Sequence, residues 1–456
     1  MYVGVVIVAL LWLALRARYG SSPMPQLPSL RIPWLVPACA AAVAVFFVAQ
    51  LLTIAYVATH QSASQCYLHL PVPVVADFNQ ETGGPALFWP SALLGALAVT
   101  ETLLLAVMYC AARQRPPSNW EWRATAAICA CALGAAVAAP AMTSPDPFMY
   151  FSFAKIGFAS FAASPHLIHT PDLPLGSWCQ RLLLPSAYGP LFVTYERALL
   201  GGVHDPVIAV YVLRGTNALW LLAAVLLLHR VGAPASVLPL MALNPTVLFQ
   251  YVAGAHNDIV TICLILAAVS VEGAGPALTA ALVVAAGLVK LPFAVIGALA
   301  FVREPSLARR IAYAAGALAL TLAISYLWAG RAYFEALSYY HSLLSPSSDR
   351  LQILVTVVAL AAICVAIFTR RFAGVGAFAF PTLSVSEMQP WYALWGLPYA
   401  VREHRHLALF LILLPPAGFL MDDSISRIAQ LVIFAGAVCI VAALAVRDLA
   451  YGKRTA

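Results

Sequence analysis

Apolar residues run through this chain in long blocks, broken by short stretches of proline, glycine and arginine rather than by alternating polar positions. Blocks near residues 2–16, 34–57, 89–111, 124–142, 206–228, 234–252, 258–272 and 276–290 predict helices. Further blocks follow near 292–302, 311–329, 351–369, 373–385, 391–401, 406–420 and 427–446. Several approach the roughly 20 residues that cross a bilayer, and others are too short to cross alone. The pattern predicts an all-α polytopic bundle of about fifteen membrane segments. The N-terminal block lacks a preceding basic region and a small-residue cleavage site, so it is expected to be a retained helix.

Composition strengthens this reading. Hydrophobic residues make up 62% of the chain and charged residues 9%, with a mean hydropathy of +0.88. A soluble domain carries about 25% charged residues, so a water-exposed globule is excluded. The net charge of +7 does not point to nucleic acid, because the arginines sit in short loops between apolar blocks, as positive charge does on the cytoplasmic side of a membrane. Arg16, Arg18, Arg31, Arg113, Arg115, Arg123, Arg303, Arg309, Arg310, Arg370, Arg371, Arg402, Arg405, Arg447, Lys453 and Arg454 all fall on one face when the helices are counted. That face is expected to be cytoplasmic, with the N-terminus outside.

The other face receives the loops 58–88, 143–205, 330–350 and a turn around Met421–Ser426. Three regions follow: N-terminal helices over 1–142, an external loop over 143–205, and helices over 206–456 whose breaks open outward. Within the loop, "FMYFSFAKIGFASF" suits a helix lying in the membrane interface. Most cysteines lie in apolar blocks as small hydrophobes. Cys66 and Cys179 fall in external loops, where pairing is open, and no metal-ligand spacing is present.

Four polar features converge on the external face. Asp146 opens the long loop. His256, Asn257 and Asp258 occupy a turn between helices. Lys290, one of three lysines, ends an apolar block just before a proline-containing break. Glu387, Gln389, Trp391 and Tyr392 occupy "SVSEMQPWYALWG". Each has a plainer reading: Asp146 and Asp258 as helix caps, Lys290 as a snorkelling side chain, Trp391 and Tyr392 as an aromatic belt. Their convergence favours an outward-opening cavity, since irregular backbone at membrane depth needs protein or water around it.

The ordered motifs "SPDPFMYFSFAKIG", "ASPHLIHTPDLP", "SAYGPLF", "NPTVLFQYVAGAHNDIV", "GLVKLPFAVIGALA" and "QPWYALWGLP" carry a family likeness. Over about residues 124–400 the chain resembles the polyprenol-phosphomannose-dependent α-(1→6)-mannosyltransferases, C-type (GT-C) glycosyltransferases of the membrane. In that resemblance Asp146 matches the catalytic aspartate of a serine-x-aspartate motif, and Tyr150 an aromatic position within it. His256, Asn257 and Asp258 match a His-Asn-acid turn, and Lys290 a basic residue at a helix break. Pro165 and His166 stand where the family has Asp-Pro-Tyr, a departure in that contact region.

The resemblance implies an inverting transfer at the extracytoplasmic face of the plasma membrane. The sugar would be mannose carried on polyprenyl phosphate, and the acceptor a glycan or glycolipid of the cell envelope such as a lipoglycan mannan. Asp146 would be the general base. Lys290, with Lys155 or Arg331, would neutralise the departing phosphate alongside His256 and Asn257. Tyr150, His166, Tyr188, Asp258, Glu387, Gln389, Trp391 and Tyr392 would contact sugar or acceptor. No cofactor or metal is required, and no nucleic-acid partner is implied. The competing reading is a secondary transporter or a flippase for lipid-linked sugars, which would show broken helices in two related halves.

Overall fold

The computed structural model describes residues 32–60, 72, 88–141, 144, 146–162, 185–344, 350–370, 373–384, 390–403, 408 and 411–413. Every element among them is helical. The predicted blocks at 2–16, 406–420 and 427–446 lie wholly or mostly outside the described residues.

Helices α1 (Leu35–His60) and α2 (Phe88–Gln114) pack against each other. Buried Gln50 donates to Glu101 at 2.7 Å across them, the kind of polar contact that fixes helix pairs in lipid. Helix α3 (Asn119–Val137) starts in a capping box, in which Ser118 and Glu121 satisfy each other's backbone N–H groups. Glu121 also accepts from Arg115 and from the Trp34 N–H, tying α3 to the base of α1. The block predicted to run to residue 142 stops at Val137. Pro140 disfavours helical backbone at Ala139, and the chain turns there.

Helix α4 (Asp146–Ile156) follows. It was expected to rest on lipid, yet Pro147 through Ala154 are all buried. A helix lying on an interface leaves one face outside; this one is enclosed by protein. Helix α5 (Pro190–Leu200) begins at Gly189 with proline in its first turn. Within 143–205 the described residues form helices at Asp146–Ile156, Ala159–Ala162 and Pro190–Leu200. Asp205 caps α6 (Pro206–Arg230) by accepting from Val207 and Ile208.

Next comes a span bent by 59°, formed by Ala235–Ala242 and Val247–Ala253. The bend falls at Asn244-Pro245, where proline has no N–H to continue the ladder and Asn244 accepts from Val247 instead. Val247–Ala253 is π-helical. Helices α7 (Asp258–Ser270) and α8 (Pro276–Val289) are 13 and 14 residues long, about 20 Å each and short of the ~30 Å hydrocarbon core. Ten of the thirteen residues of α7 are buried, so protein rather than lipid surrounds it.

Helix α9 (Leu307–Leu344) is broken at Gly330, whose φ of 70° and ψ of −166° suit glycine. Helices α10 (Arg350–Thr369) and α11 (Ala373–Ser384), a 3₁₀ turn (Pro390–Gly396) and α12 (Leu397–Glu403) complete the described bundle. Among the described residues, four helices are long and apolar enough to cross a membrane, or five counting the bent span. The expected count of about fifteen membrane segments, some of them too short to cross alone, is not reproduced among the described residues. Of the remaining apolar helices, α7 and α8 are too short to cross alone, and α7 packs inside the protein.

Candidate active site

The site forms where three chain segments meet at the same end of the bundle. The first is the turn from α3 into α4. Its carbonyls at Val137, Ala139 and Ala141 accept from the Arg214 guanidinium, at 3.4, 2.6 and 3.3 Å. Arg214 sits about a third of the way along α6, fully buried, and its Nε donates to the Ala253 carbonyl at 2.8 Å. One turn further on, Asn217 donates to the carbonyls of Tyr251 and His256 at 2.8 and 3.0 Å. Helix α6 therefore staples the segment leading to Asp146 onto the segment leading to His256. Nothing in the motif reading pointed to these two residues. The available signal was an arginine inside an otherwise apolar block, which intramembrane charge makes conspicuous.

Asp146 is the first residue of α4, and its own N–H donates to the Ser144 hydroxyl at 3.2 Å. Its Oδ2 receives three groups: the Tyr150 hydroxyl at 3.1 Å, the Tyr188 hydroxyl at 3.2 Å and His256 Nδ1 at 3.1 Å. Tyr150 lies one turn along the same helix, whereas Tyr188 and His256 come from other parts of the fold, so the side chain is engaged across the site as well as along its own helix. The group is 17% exposed. Burial by itself raises its pKa. The His256 charge and the hydrogen bonds from His256, Tyr150 and Ser144 outweigh burial and bring it from 3.8 to about 2. Burial, then the Asp146 charge, hold the Tyr150 hydroxyl well above its ordinary value.

His256 sits past the π-helical turn, after Ala255, which has a φ of 51°. Its backbone N–H donates to the Gln250 carbonyl at 3.0 Å. Its ring lies 4.8 Å from that of Trp391, and its Nε2 is buried with no protein partner. Both amide atoms of Asn257 and the Trp391 Nε1 are likewise buried and unpartnered. Native proteins leave few such groups. The Tyr251 hydroxyl fixes the 3₁₀ turn by donating to the Trp391 carbonyl at 2.9 Å.

Asp258, at the head of α7, is 1% exposed and accepts from Lys290 Nζ at 2.9 Å and Trp395 Nε1 at 2.8 Å. Lys290 ends α8, and its ammonium lies 5.9, 5.2 and 5.0 Å from the ring centres of Tyr188, Tyr392 and Trp395.

The structure thus gathers Asp146, Tyr150, Tyr188, His256, Asn257, Asp258, Lys290, Trp391 and Tyr392. It does not bring Lys155 or Arg331 to them. The Lys155 ammonium donates to the Gly201 carbonyl and lies over Phe151. Arg331 is exposed and pairs with Glu335 at 2.7 Å. His166, Glu387 and Gln389 lie outside the described residues. Among the described residues no group of three or more His, Cys, Asp or Glu is placed to hold a metal ion.

A cavity of about 380 Å³ lies at the other ends of α7 and α8, lined by Glu272, Arg303, Tyr313 and Arg402 among others. Its charges meet within the protein, with Glu272 bonded to Arg402 at 2.6 Å. The length of α7, about 20 Å, separates it from Asp258, so this cavity is not where the chemistry gathers.

Among the described residues the elements are helical, some of membrane length, and they enclose a largely buried carboxylate ringed by aromatic, imidazole and amide groups. The family described as "Alpha-(1->6)-mannopyranosyltransferase, N-terminal domain" matches residues 45–304, more than half of the sequence, and the chain belongs to that family of mannosyltransferases. The match takes in Asp146, Tyr188, His256, Asn257, Asp258 and Lys290. No curated protein and no solved structure matches the chain.

Proposed function

We propose that the protein transfers mannose from a polyprenyl-phosphate donor to a hydroxyl of a glycan or glycolipid acceptor, with inversion, and that Asp146 is the general base. The observation that carries the assignment is the loading of a single carboxylate oxygen. Oδ2 holds three donors, which fixes the group and leaves Oδ1 to meet an acceptor hydroxyl. A carboxyl at about 2 is ionised before the acceptor arrives. Such a base is weak, so it acts late in the reaction. By then positive charge at the anomeric carbon has acidified the attacking hydroxyl.

Charge on the departing phosphate calls for donors. His256 Nε2 and the Asn257 amide, buried without protein partners, are the groups suited to supply them. Trp391 and Tyr392 offer faces and an N–H to the sugar. The choice of polyprenyl phosphate follows from the motif resemblance, as does the lipoglycan acceptor. Asp258 and Lys290 stand at the ends of α7 and α8 away from Arg303 and Arg402, which supports an extracytoplasmic site under arginine bias. Transporter and flippase readings leave the family membership without a role. The test is transfer by the purified protein from synthetic polyprenyl-phospho-β-mannose to an octyl α-mannoside. An α-linked product is expected; no product, or a β-linked one, refutes the reading.

A further inference from the structure

The sequence set Lys290 against the donor phosphate, and its surroundings argue otherwise. The ammonium is 2.9 Å from a carboxylate that is itself almost wholly buried. A phosphate arriving at Lys290 would meet the Asp258 charge alongside it. Three aromatic rings surround the ammonium, leaving the side chain 16% exposed. The Trp395 indole N–H holds the same carboxylate oxygen at 2.8 Å. A cation so enclosed and neutralised has little field left for a ligand.

What the pair does touch is Tyr188. The ammonium lies over the Tyr188 ring, and the hydroxyl of that ring bonds Asp146 Oδ2 at 3.2 Å. The next residue is held to the same helix end: the Gly189 N–H donates to the Val289 carbonyl at 2.8 Å. The backbones approach so closely that a Cβ at Gly189 would lie 2.0 Å from the Leu288 carbonyl oxygen. Beyond Tyr188 the ring packs on Tyr150 and Phe192 at 5.2 and 5.1 Å. We infer that Lys290 and Asp258 form a positioning pair, which sets Tyr188 and through it the orientation of the Asp146 carboxylate, and that Lys290 is not a ligand of the donor phosphate.

This rests on the transfer reading above, and the experiment separates the two. The full-length protein is compared with Lys290→Arg, Lys290→Met and the double variant Lys290→Met/Asp258→Asn. The double variant removes both charges, so no buried charge is left alone if the single one fails to fold. Donor affinity is measured with a non-transferable phosphonate analogue of polyprenyl-phospho-mannose, and turnover with the donor itself. A misplaced catalytic group costs up to about 100-fold in rate. The double variant is expected to bind the analogue within about 3-fold of wild type while kcat falls roughly 10- to 100-fold, with partial recovery in Lys290→Arg. Adding Tyr188→Phe to the double variant should cost little more, since the two act through one contact. Analogue binding weakened about 10-fold or more, or an unchanged kcat, overturns the positioning role. Absence of transfer by the wild type with this donor overturns the functional reading instead.

Discussion

Replacing Arg214 by methionine keeps an unbranched apolar stem and removes the guanidinium that joins the two halves of the site. Its bonds to Ala139 and Ala253, at 2.6 and 2.8 Å, are short and charge-assisted, and those to Ala141 and Val137 are longer. A buried acceptor left without a donor costs about 1–3 kcal/mol, so the two short bonds alone set a loss of about 2–6 kcal/mol. Relief from burying the guanidinium offsets part of this, for a net destabilisation of about 2–4 kcal/mol. Asp146 lies five residues beyond Ala141 and His256 three beyond Ala253, so the released segments are those that bring the 3.1 Å contact together. Arg214→Met should therefore lower the melting temperature in detergent and reduce kcat about 100-fold, the scale of a displacement of roughly 1 Å. Arg214→Lys should recover only part, because one ammonium lacks the fork that reaches both strands of carbonyls. Wild-type melting and turnover in Arg214→Met would refute the claim that this residue assembles the site.

Three further outcomes follow from single features. Gly189→Ala places a methyl 2.0 Å from the Leu288 carbonyl oxygen; pushing the Tyr188 segment off α8 should abolish most transfer, and an active alanine variant would disprove that close approach. Glu196 is buried, and burial pushes its carboxyl up to about 8. Its unfolded value is near 4.3, so the stability tied to its proton is present below that pH and is lost as pH rises through 8. Glu196→Gln should therefore flatten the fall in melting temperature between pH 5 and 8, and an unaltered slope would exclude this group as its source. In a cysteine-free background, Gly202→Cys, exposed and with open space at its Cβ, should react with an impermeant thiol reagent from outside. Leu307→Cys, on the arginine-bearing side, should not, and the opposite pattern would invert the orientation.

Much of the site was legible because its chemistry stands out against an apolar chain. Asp146, His256 and Lys290 are conspicuous wherever charge is scarce, and arginine placement set them on one face. The number of crossings was not legible in the same way. Hydropathy reports that Ile259, Ile262 and Leu266 avoid water, but lipid and protein satisfy them equally, and in α7 protein does. Lys290 showed the same limit from another side: its charge was visible, its partner Asp258 lay 32 residues away, and only the fold joins them. The aromatic run after Asp146 suited a helix lying in the membrane interface, whereas α5 and α6 cover that helix. Arg214 and Asn217 act through backbone carbonyls, which carry no residue signature at all.

The central claim is that Asp146 takes the acceptor proton, and Asp146→Asn tests it most directly. Asparagine keeps the size and can still accept from Tyr150, Tyr188 and His256, but it cannot act as a base of that strength. Loss of general-base assistance costs about 10²–10⁴ in rate. In the mannosyl-transfer assay, the variant is expected to bind the lipid donor with near-native affinity and turn over at least ~100-fold more slowly. Turnover close to wild type with donor binding intact would contradict the account.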